Sequence, residues 1–69
     1  MPAKYWWIKE RENPQIGTYF VAMGQISIKM AKSCESKCLY SYAVMHRFVS
    51  KQAYDEKLAS LKAAGERVQ

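Results

Sequence analysis

Between Lys4 and Ile26 apolar residues recur on a short period, and after Ser27 the period lengthens. The stretch "KYWWIKER" (4–11) gathers aromatic and branched residues and then alternates charge, which predicts a strand. "ENPQIG" (12–17) carries Asn-Pro and a glycine and reads as a hairpin loop. "TYFVAMGQI" (18–26) is then a second strand, antiparallel to the first because the connection is short. From Ser27 to Cys38, "SIKMAKSCESKC" has a helical period: Met30, Ala31, Cys34 and Cys38 share one side, and Lys29, Lys32, Ser33 and Ser36 the other. Ser27 supplies the N-cap, and the expected length is about three turns. "YAVMHRFVS" (42–50) predicts a third strand. Ser50 caps a second helix, "KQAYDEKLASLKAA", whose stripe is Tyr54, Leu58 and Leu61, with Lys62 in the last turn and Gly65 at the left-handed end.

The order β-β-α-β-α predicts an α+β two-layer sandwich, a three-stranded antiparallel sheet with two helices on one face. The other face is left for water or a partner. No linker or repeat divides residues 1–69, so a single domain is expected.

Composition narrows the class. The chain has 69 residues, 49% hydrophobic and 25% charged, with three glycines and two prolines, which is globular rather than disordered. Aromatics reach 13%, a means for a small domain to bury area. The net charge of +5 favours an anionic partner: nucleic acid, an acidic protein surface or anionic lipid. No apolar run approaches a membrane span, and "MPAKYWWIKER" lacks the layout of a signal peptide, so the expected location is cytoplasmic, with reduced thiols.

"SCESKC" (33–38) is the nearest thing to a chemical motif. Zinc wants four ligands, and one cysteine pair with His46 falls short of a closed site. Redox chemistry prefers Cys-x-x-Cys opening a helix. A disulfide between residues four apart on one helix face is poorly aligned. Core packing of both thiols needs none of these, and no metal or cofactor is expected. His46 has no acidic residue or nucleophile beside it in sequence. Nothing pairs Glu10, Glu12, Glu35, Asp55, Glu56 and Glu66 as acid and base, and no phosphate loop is present. The expectation is a protein that is not an enzyme.

The basic groups carry more. Lys29 and Lys32 share the outer face of the first helix, with Lys37 nearby. Alternation along the first strand puts Tyr5, Trp7, Lys9 and Arg11 on one face and Trp6, Ile8 and Glu10 on the other. With one sheet face uncovered, one of the adjacent tryptophans points outward, and Trp7 with Tyr5 becomes an interface anchor. The expected partner-binding set is Lys29, Lys32, Lys37, Tyr5, Trp7, Lys9 and Arg11. A stand-alone chain that opens "MPAKYWW" and ends a few residues after its last helix resembles the small accessory proteins of bacteriophages. Among these it is similar to the anti-CRISPR proteins in size, architecture and lack of catalytic residues. The resemblance covers the chain in architecture and length and no motif residue by residue. It implies a stoichiometric inhibitor docking on a host nucleic-acid-handling defence complex. The alternative is direct DNA or RNA binding, with Lys9, Arg11, Lys29, Lys32 and Lys37 on phosphates and aromatics stacking bases. An edge strand or the open sheet face also permits a homodimer.

Overall fold

The computed structural model describes residues 4–37 and 41–69, the side chains of Ser36 and Lys37 excepted. Cys38 lies outside the described residues. Strands β1 (Lys4–Asn13) and β2 (Gly17–Ser27) form a long hairpin. Helix α1 (Ile28–Cys34), the two-residue β3 (Ser36–Lys37), β4 (Tyr42–Phe48) and α2 (Lys51–Ala63) follow. The three long strands pair antiparallel as expected, in the order β2-β1-β4, with β3 adding two pairs at the far side of β4. The α+β class and the order of the main elements are those the sequence predicts.

Local chemistry accounts for the boundaries. Asn13 Oδ1 accepts from the Gln15 N–H at 2.8 Å, closing the hairpin turn over Pro14. Ser27 Oγ accepts from the Met30 N–H at 3.2 Å and Ser50 Oγ from the Ala53 N–H at 3.1 Å, so both predicted caps form. Gly65 takes φ 81°, and the Glu66 and Gly65 N–H groups return to the Leu61 and Lys62 carbonyls at 3.0 and 3.1 Å. These two bonds satisfy carbonyls the helix end leaves open. In β2 the register skips Met23, so the strand bulges, and Gly24 beside it takes φ 74°. The Gly24 N–H donates to the Tyr54 hydroxyl at 3.0 Å, tying the bulge to α2.

Helix α1 is shorter than predicted. It ends at Cys34, Glu35 is extended, and Lys37 belongs to β3 rather than to the helix. Seven residues cannot sustain a helix by propensity alone, so packing on the sheet decides its extent. The inward stripe is Ile28, Ala31 and Cys34, while Met30, expected inside, is 55% exposed.

The helices are distributed differently over the sheet from the expectation. Tyr54, Leu58 and Leu61 of α2 pack with Trp6, Ile8, Phe20 and Phe48, which alternate onto one face. Ala31 and Cys34 of α1 pack with Tyr5, Trp7 and Met45, on the other. The helices therefore cover opposite faces. The connections explain it. Between β2 and β4 the chain crosses β1 in one direction. After α2 it returns in the other, and Val68 bridges Phe20 in parallel at the outer side of β2. Crossovers of one preferred hand that travel in opposite directions must lie on opposite faces.

Candidate functional site

Strand parity sorts the charges as it sorts the core. Lys9 and Arg11 share the α1 side of β1, and Arg47 projects from the same side of β4. Lys29 and Lys32 are exposed on α1 itself. Glu35, at the end of α1, is the one described carboxylate with these five cations, an excess of four positive charges. On the α2 side, Lys4, Lys51, Lys57 and Lys62 stand among Glu10, Glu12, Asp55, Glu56 and Glu66, so that side carries no positive excess. The Lys51–Asp55 ion pair and the His46–Glu10 contact both lie on that side. The net positive charge of the chain is thus concentrated on one face.

The expected site residues fall into three groups. Lys9, Arg11, Lys29 and Lys32 come together on the basic face, and Arg47, overlooked in the sequence, joins them. The Arg47 guanidinium sits 5.0 Å from the centroid of the Tyr5 ring, which is half-buried against the α1 cluster. Trp7 leaves the group: it is 7% exposed, and its Nε1–H donates to the Ile26 carbonyl at 3.1 Å. The expectation of an outward tryptophan rested on one bare sheet face. With a helix on each face, Trp7 enters one core cluster and Trp6 packs at a tilt against Tyr54 in the other, ring centroids 5.2 Å apart. Lys37 is placed only by its backbone, paired with Tyr42.

A second constellation lies on the α2 face, and it gives His46 a partner that its sequence neighbours do not supply. Glu10 sits between Tyr42 and His46 along the β1–β4 register. Its Oε2 accepts from the Tyr42 hydroxyl at 2.7 Å, and its Oε1 meets His46 Nε2 at 3.0 Å. The Tyr42 hydrogen bond, followed by the hydrogen bond and charge of His46 and the charge of Lys57, holds the Glu10 carboxyl below its ordinary range, against partial burial. The same bond holds the Tyr42 hydroxyl above its ordinary range. Glu10, His46 and Lys57 rim a notch of about 140 Å³ floored by Ile8, Phe20, Phe48 and Leu61. Chemically this is a carboxylate that orients an imidazole and joins two strands. The sequence signal existed in the spacing of Tyr42 and His46, two positions either side of Val44, but it needed the register Glu10↔Val44 to be read.

Cys34 is a free thiol, half-buried against the α1 cluster. Among the described residues no group of three or more His, Cys, Asp or Glu is placed to hold a metal ion. Among the described residues no helix is long and apolar enough to cross a membrane. Comparison with protein-family models, with curated proteins and with solved structures finds no match.

Proposed function

We propose that the protein is a small non-catalytic binding module that docks through its α1-side face onto a polyanionic target. The reading in best accord with this is an inhibitor of the phage type, seated where a nucleic-acid-handling complex of the host receives its nucleic acid. One observation carries it: five described cations against one carboxylate on the α1 side, beside no positive excess on the α2 side. Such segregation focuses a positive potential and steers an anionic partner to one orientation.

Burial of Trp7 favours a second reading. Without an exposed aromatic anchor, the face is left with cations, and cations suit phosphates directly. Titrating labelled duplex and single-stranded DNA at about 50 and 200 mM salt separates the two. Engagement of all five cations weakens binding over that range on the order of several hundred-fold. Weak or salt-insensitive binding, with capture of a protein complex from the host, supports docking on a protein instead. Under either reading, reversing Lys29 and Lys32 to Glu abolishes most binding, and reversing Lys51 and Lys62 does not. Equal losses from both double variants would refute the proposal.

A further inference from the structure

The two edges of the sheet are treated unlike each other. Along β2, the last residues of the chain close the edge: the Phe20 and Ala22 N–H groups donate to the Arg67 and Gln69 carbonyls at 2.8 and 3.0 Å. The Gln69 N–H returns to the Phe20 carbonyl at 2.8 Å, and the Gly24 bulge interrupts the strand further on. Along β4, β3 pairs with Tyr42 and Ala43 alone. Among the described residues no strand lies outside Val44–Phe48. Open edges in soluble proteins are usually blunted by lysine, proline or a bulge. The run "VMHRFV" (44–49) has no lysine or proline. Its two polar side chains are drawn inward to β1, His46 by Glu10 and Arg47 over Tyr5. Val44 and Val49, 41% and 79% exposed, flank it.

We infer that this edge pairs with the same edge of a second copy, β4 against β4 about a two-fold axis perpendicular to the sheet. The free stretch picks its own register. It is bounded by β3 at one end and by the end of the strand at Phe48 at the other, so full overlap centres on His46. Antiparallel pairing there sets Val44 opposite the second copy's Phe48, Met45 opposite its Arg47 and His46 opposite its His46. On the α2 side Val44 faces Phe48 at either end of a central His46 pair, and on the other side no arginine directly opposes an arginine. A lysine anywhere in the run would break this self-match. The axis keeps like faces together, so both α1 faces look the same way. The pair then presents one continuous sheet with two basic faces side by side. The inference stands apart from the reading of the basic face, because it involves no anion.

Light scattering behind size exclusion, across a range of protein concentrations, is expected to show a species of twice the chain mass. Residues directly opposite in an antiparallel pair have Cα atoms roughly 4.5–5.5 Å apart, within reach of a disulfide. In a chain with Cys34→Ala and Cys38→Ser, His46→Cys is therefore expected to cross-link on mild oxidation about tenfold faster or more than Lys62→Cys. Val44→Lys, an exposed change, is expected to give monomer with an unaltered circular dichroism spectrum. A wild-type chain that stays monomeric at millimolar concentration overturns the inference. So does equal cross-linking of the two cysteine variants, or a Val44→Lys chain that dimerises normally.

Discussion

The two faces of the sheet carry different loads. On the α2 side a 13-residue helix with both ends capped lays Tyr54 and Leu61 on Ile8 and Phe20, and the surface carries no positive excess. On the α1 side a seven-residue helix contributes Ala31 and the half-buried Cys34, and the surface keeps nearly all the positive charge. The larger aromatic cluster and the longer helix secure the fold on one side. The other side is covered only as far as Trp7 and Met45 need, and beyond that its cations are free to meet a partner.

The comparison is broken most severely by truncating the core of either face. Tyr54→Ala removes the ring that Trp6 and Phe48 touch and the hydroxyl that accepts from Gly24. The expected loss is about 3–5 kcal/mol, enough to unfold much of so small a domain, read as the midpoint of urea unfolding. Trp7→Ala is expected to cost about as much. Were Trp7 an exposed anchor, the same change would spare stability and reduce binding alone, so this variant tests its reassignment to the core. The next effect in size is electrostatic. Lys29→Glu with Lys32→Glu is expected to weaken partner binding by about tenfold or more while shifting stability by about 0.5 kcal/mol or less.

Acid sharpens the contrast from the α2 side. Glu10 titrates below its ordinary value of 4.5 in the fold, Tyr42 being the largest cause. Its contribution to stability is therefore complete above that unfolded value and is lost as pH falls through the lower folded one. Glu10→Gln is expected to flatten the fall in stability between neutral pH and pH 3, measured by urea midpoints, with the basic face's binding at neutral pH unchanged. The smallest effect is at the caps. Ser50→Ala is expected to cost about 1 kcal/mol, and Ser27→Ala less, because the short α1 has fewer residues to release.

Much of this architecture was legible in the sequence, and the exceptions have physical causes. The hairpin, both serine caps, the end at Gly65 and the stripe Tyr54, Leu58, Leu61 are local, decided by residues within a turn or two of one another. Helix placement is not local. It depends on where each crossover lands, and the return of Val68 to Phe20 spans most of the chain. Alternation correctly put Trp6 and Trp7 on opposite sides, but which sides are covered was hidden in that same topology. The Glu10–Tyr42–His46 group was invisible for a related reason, since its members meet only through the pairing of β1 with β4. The cations Lys9, Arg11, Lys29 and Lys32 were found because outward charge on regular elements follows from period alone.

Lys9, Glu10, Arg11 and Glu12 alternate in sign along the central strand. A slip of one residue in this strand would carry carboxylates under α1 and cations beneath α2, exchanging the polarity of the molecule along with its core. The protein's electrical orientation is thus written in odd and even positions. A single inserted residue ahead of Lys9 reverses it more thoroughly than any surface substitution.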